Sequence, residues 1–183
     1  MKETTQHKQN LVSTAMRLFR RQGYASTGLQ QILSESGAPK GSLYYYFPNG
    51  KEGLAEAAVE MATDLICKTL TDLARLHPEP KEFIAAYCGV LAGWMEESGF
   101  RSGCPIATTM LETAPQSAIL TEAGEKAMDR WIGLIAQVFI ASGMPPEKAC
   151  AQAELAVAAI EGALIIARIR QSPAPILEVA RHF

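Results

Sequence analysis

At 183 residues, the chain is long enough for one well-buried core, or for a small domain joined to a larger one. Its 48% hydrophobic and 20% charged residues are those of a globular protein without low-complexity tracts, and the polar start, MKETTQHKQN, has no apolar stretch of the kind a secretory leader needs. The net charge of −2 hides a basic head: residues 1–51 carry seven basic against two acidic side chains, a net +5, and the remainder a net −7.

In chain order, apolar residues recur at helical spacing and strand-like alternation is scarce. A first helix is expected over about Thr5–Gln22, with Leu11, Ala15, Leu18 and Phe19 on one face and Gly23 as its stop. Thr27-Gly28-Leu29-Gln30 has the form of a capping box opening a short second helix that ends near Gly37. Pro39 suits the first turn of a third helix running to about Phe47, and Pro48-Asn49-Gly50 is turn chemistry. Longer helices follow over about Lys51–Leu76, Lys81–Ser98, Pro105–Thr113, Ser117–Ser142 and Pro146–Gln171, with a short last one at Ile176–His182. The expected fold is all-α, about nine helices: a three-helix N-terminal head (1–50) and a larger helical body (51–183).

Three of the five tyrosines stand together in the third helix, as Tyr44-Tyr45-Tyr46. Neighbours on a helix point about 100° apart, so the three cannot share one buried face. Leu43 and Phe47, four apart, are the natural core pair, which leaves the tyrosines fanned over the sides and the outside. Aromatic rings with hydroxyl tips, beside Lys40 and Lys51 and the small Gly41 and Ser42, suit a surface that meets a phosphate backbone and base edges. The plainer alternative is a tyrosine-rich helix packed on the rest of the head. Two short helices joined by a glycine-containing turn make a helix-turn-helix.

This stretch resembles the N-terminal domain of TetR-family transcriptional repressors. The resemblance is carried by Gly23-Tyr24, Thr27, Ile32, Gly37, Lys40-Gly41-Ser42-Leu43-Tyr44, Tyr46-Phe47, Lys51-Glu52 and Leu54. APKGSLYYYFPNGKE and Gly103-Cys104-Pro105-Ile106 further resemble the subgroup of lincomycin-resistance and flavonoid-responsive repressors. The chain departs from the usual pattern at Gly28, at Leu33, and by one extra residue, Gly50, before Lys51. The resemblance implies a homodimer that reads a palindromic operator in double-stranded DNA with its third helices. Lys40, Gly41, Ser42, Tyr44, Tyr45 and Tyr46 would then face the DNA, and Thr27 and Lys51 would hold phosphates. It also implies a body that binds a small, mostly apolar inducer and dimerises through its last two helices.

In the body, residues 149–170 are apolar nearly all round, which requires burial on more than one side or a membrane. Glu161 splits the stretch into runs well short of the ~20 residues a span needs, so a partner subunit is the better account and no membrane is expected. Glu154, Glu161 and Arg168 are spaced by seven, and with Val157, Leu164 and Ile165 they are the candidate dimer residues. Tyr87, Leu91, Trp94, Met95, Cys104, Met110, Met128, Trp131 and Ile135 are candidate pocket residues, with Glu161 a competing polar anchor; such side chains serve equally as plain core.

The four cysteines, Cys67, Cys88, Cys104 and Cys150, form no CxxC or Cys/His cluster, so no metal site is expected. No cofactor is expected either. Nothing points to an oxidising compartment, and a cytoplasmic protein is expected. The rivals are a helical small-molecule carrier and a Cys104-dependent enzyme or redox sensor. His7, His77 and His182 are poorly placed to serve such a thiol as base.

Overall fold

The computed structural model describes residues 2–183, with side chains from Gln6 onward; Lys2 and Glu3, counted in the charge of the head, have side chains outside the described residues. Among the described residues there are nine α-helices and no strand. They are α1 (Lys2–Gln22), α2 (Leu29–Ser36), α3 (Lys40–Tyr46), α4 (Lys51–Leu76), α5 (Pro80–Glu97), α6 (Pro105–Thr113), α7 (Ala118–Ala141), α8 (Pro146–Arg170) and α9 (Ala174–Val179), followed by a 3-10 turn at Ala180–His182. The chain divides into two compact units.

The first unit holds the chain up to Thr63 together with Pro105–Ala127. Leu11, Val12, Ala15, Leu18 and Phe19 of α1 meet Ile32 of α2, Leu43 of α3, and Leu54, Ala55 and Ala58 of α4 in one buried cluster. Gly23 ends α1 with φ +88°, a left-handed conformation in which a side chain would be strained. The expected capping box does not form. Gly28 occupies the N-cap of α2 without a side-chain bond, and the Thr27 hydroxyl donates instead to the Gly23 carbonyl at 2.7 Å. Thr27 is fully buried, so its hydroxyl closes the α1–α2 turn. Leu120 of α7 completes the core from far along the chain, and Met110 of α6 packs on its edge.

The second unit holds Asp64–Cys104 and Met128–Phe183, so α4 and α7 each contribute to both units. Its centre is made by Ile66 and Leu70 of α4, Phe83, Ile84, Tyr87 and Leu91 of α5, Trp131, Ile135 and Phe139 of α7, and Ile160 of α8. α8 turns Ala149, Ala153, Ala156, Ala163 and Ala167 inward, and such small side chains permit close helix approach. It alone among the described helices is long and apolar enough to cross a membrane. Its inward half is taken up by this core.

Candidate functional site

On α3, Leu43 is fully buried and Phe47, just past its end, nearly so, which anchors the helix on the head core. The anchoring fixes where the tyrosines point. Tyr45 is 76% exposed and Tyr44 55%, while Tyr46 is half-buried and meets the Tyr45 ring edge-on, centroids 4.9 Å apart. Lys40 and Gly41 are exposed and Ser42 half-buried, and a small hollow lies between Gly41, Ser42, Tyr45 and Tyr46. The face therefore combines a cation, a gap at glycine and two outward phenols.

Lys51 opens α4 at the rim of this head. Its ammonium lies 4.3 Å from the centre of the Tyr24 ring and donates to the Ala25 carbonyl at 3.5 Å. Partial burial pushes its pKa below the usual lysine range, with the carboxylate of Glu112 pulling the other way. Burial, and then the charge of Glu52, push the Tyr24 phenol up. Thr27 offers no exposed hydroxyl, and the α2 start presents the backbone of Gly28 in its place.

The second unit contains a buried polar cluster. Tyr87 and Trp131 meet edge to face, ring centroids 6.3 Å apart, and both are almost wholly buried. Neither the Tyr87 hydroxyl nor the Trp131 Nε1–H has a hydrogen-bond partner, and Glu161 Oε1 is likewise buried and unpartnered. Burial pushes the Glu161 carboxyl above the ordinary range, partly offset by a hydrogen bond with the Cys104 thiol. Tyr87 is raised strongly, by burial first and then by the nearby Cys104 and Glu161. Leu91, Met95, Cys104 and Ile135 are buried in the same unit and Trp94 and Met128 half-buried, so most of the expected pocket residues share it. Met110 does not: it belongs to the first unit, against Gly124.

The expected dimer residues divide. Val157 and Leu164 are buried in the core of their own protomer, and the Glu161 carboxyl turns toward Cys104, so these three face inward. Glu154, Ile165 and Arg168 are exposed. The outward face of α8 is a stripe of Ala151, Leu155, Ala158, Gly162, Ile165 and Ile169, spaced alternately by four and three, with Ile166 beside it. This is the spacing of a helix seam that packs on another helix. Periodicity could not select it, because α8 is apolar on every side.

Two parts of the first unit have no local signal in the sequence. Glu112 of α6 accepts hydrogen bonds from the Tyr24 and Ala25 amides at 3.2 and 2.6 Å. Ser117, just ahead of α7, donates to Glu52 on the first turn of α4 and accepts from the Leu120 amide.

Two family models match the chain. One describes bacterial regulatory proteins of the tetR family, over residues 11–58, and the other the C-terminal domain of LmrA/YxaF-like transcriptional regulators, over 80–182. The chain is 34% identical to the HTH-type transcriptional regulator LmrA of Bacillus subtilis, covering 94% of this chain and 92% of that one. It is 33% identical to the uncharacterized HTH-type regulator YxaF of the same organism, covering 96% and 92%. Among solved structures, reduced E. coli NemR superposes with a TM-score of 0.83 at 25% identity, covering 96% of this chain and 94% of that one. A TetR regulator from Legionella pneumophila reaches 0.85 at 20% identity over 96% and 94%, which speaks for the fold. The head, the body and the full-length relatives agree, and the chain belongs to the TetR family of DNA-binding transcriptional regulators, on its LmrA/YxaF-like branch.

Proposed function

We propose that the protein is a cytoplasmic repressor that holds a palindromic operator as a homodimer and lets go when a small, mostly apolar inducer enters its body. Residues 1–50 form the DNA-binding domain and residues 51–183 the ligand-binding and dimerisation domain. α3 enters the major groove, with Tyr44 and Tyr45 toward the bases, Tyr46 bracing Tyr45, and Lys40, Gly41 and Ser42 against the backbone. Lys51 and the amides opening α2 hold phosphates, while buried Thr27 shapes the turn that presents those amides.

The observation that carries the ligand half is the orphaned trio of Tyr87 hydroxyl, Trp131 Nε1–H and Glu161 Oε1. An unmade hydrogen bond at a buried polar group costs about 1–3 kcal/mol, and three in one neighbourhood are a heavy burden for a plain core. A guest with one acceptor and one donor on an apolar frame would relieve them, seated among Leu91, Met95 and Ile135. The exposed α8 stripe supports the dimer. Two recognition helices must stand about one DNA turn apart, ~34–36 Å, so a guest that favours another spacing opposes DNA by the same coupling energy with which DNA opposes it.

Selecting genomic DNA fragments with the purified full-length protein tests this reading. The expected result is a palindromic site whose affinity falls steeply with salt. Screening neutral hydroxylated aromatic and aliphatic compounds against that complex should find one that quenches tryptophan fluorescence and releases the DNA. A tight binder that leaves DNA affinity unchanged would defeat the coupling; DNA binding without salt dependence or a palindrome would defeat the operator.

A further inference from the structure

The α1–α2 turn is gripped from two sides by side chains of opposite charge. On one side the two oxygens of Glu112 accept separately from the Tyr24 and Ala25 amides, at 3.2 and 2.6 Å. Two successive amides aimed at one anion form a small cationic concavity, and charge-assisted bonds of this kind are roughly twice as strong as neutral ones. On the other side Lys51 donates to the Ala25 carbonyl and stands over the Tyr24 ring. The turn is shaped for the carboxylate: Gly23 has φ +88°, and a Cβ there would collide with Glu112 Oε1. The same segment takes a second hold, where Ser117 bonds Glu52, next to Lys51.

We propose that Glu112, on a helix remote in sequence from the DNA-binding head, is a positioning residue for operator binding: by fixing the Tyr24–Ala25 turn it holds Lys51 where a phosphate is met. The proposal rests on the phosphate role given to Lys51 above. A fixed Tyr24 ring and Ala25 carbonyl give the flexible lysine stem one preferred place, so less side-chain freedom is lost when DNA arrives.

The sign of the effect separates positioning from simple electrostatics. Deleting a negative charge beside a DNA-binding head should strengthen binding through the long-range field. Loss of a positioning contact should weaken it. The experiment titrates the operator fragment selected by the wild-type protein, over a range of salt, with full-length wild type, Glu112→Gln, Glu112→Ala, Lys51→Ala and the double variant Glu112→Ala/Lys51→Ala. Amide hydrogen exchange at Tyr24 and Ala25 and thermal melting run in parallel. Expected are faster exchange at those two amides and about tenfold weaker binding for Glu112→Ala, with the salt slope lower by about one. Glu112→Gln keeps an acceptor oxygen and should fall between. The double variant should bind no worse than Lys51→Ala alone, since one phosphate contact cannot be lost twice.

Unchanged or tighter binding by Glu112→Ala at unchanged melting temperature overturns the proposal, as do losses that add fully to those of Lys51→Ala. Should Glu112→Ala melt early, the isosteric Glu112→Gln decides by the same two criteria. If Lys51→Ala itself leaves the slope untouched, the phosphate role of Lys51 has failed, and that outcome shows independently of Glu112.

Discussion

The Lys51 ammonium lies 4.3 Å from the centre of the Tyr24 ring, a cation held against an aromatic face at the start of α4. Such a contact fixes a flexible side chain without neutralising it. Lys51→Ala is therefore expected to weaken binding to the selected operator and to unrelated duplex alike, and to lower the salt slope by about one unit. Fluorescence anisotropy across a salt series measures both quantities.

Tyr45 and Leu43 stand two residues apart on α3 and should respond in opposite ways. Tyr45, mostly exposed, should lose about 1–3 kcal/mol of operator binding on replacement by alanine, with melting temperature and non-specific binding nearly unchanged. Leu43→Ala, at a fully buried position, should cost about 2–5 kcal/mol of folding stability. Gel shifts beside chemical denaturation distinguish the two.

The outward stripe of α8 predicts the oligomeric state. Leu155→Glu/Ile165→Glu, placed on two exposed positions, should yield a folded monomer by light scattering, with operator binding reduced to the non-specific level. Val157→Glu, facing inward, should instead damage the fold. A double variant that stays dimeric would remove the stripe from the interface.

Glu161 should make stability depend on pH. Burial raises its carboxyl pKa in the folded state, so the protein is favoured where the group is protonated and loses that advantage as pH rises through the raised value. Glu161→Gln should accordingly raise the melting temperature near neutral pH. The gain should shrink toward zero as pH falls below the ordinary glutamate range. A constant gain at every pH would mean that the carboxyl is not held in a desolvated place.

The thiols should react in an order set by their surroundings. Cys150 is exposed and should label first. Cys88 is buried, with its pKa pushed up to about 11, and should remain protected until the protein unfolds. Cys104, buried beside Glu161, should also be slow; rapid labelling of native Cys104 would revive the redox reading. Peptide mass analysis after timed alkylation gives the order.

Much of this architecture could be read along the chain because punctuation residues mark it. Gly23, Gly37 and Gly50 all adopt positive φ at junctions, and α4 and α6 begin and end where the residue pattern places them. The outward tyrosines were legible from the Leu43/Phe47 pair. Thr27 misled because its hydroxyl has two possible backbone partners, and burial favours the carbonyl of Gly23. The faces of α8 were illegible because a helix apolar all round has no direction until its neighbours are known. Leu120 and Glu112 could not be foreseen, since their partners lie far off in the sequence.

Ile169, near the end of α8, is 77% exposed, and the proposed greasy seam it belongs to shares no residue with the tyrosine ridge. A gene copy encoding a ruined reading head but an intact seam would therefore interfere with its healthy sibling. In the dimer proposed above, mixed pairs would carry one working hand where a palindromic operator asks for two. Co-expression of such a copy should silence regulation out of proportion to its dose, which makes truncated or head-dead alleles dominant rather than recessive.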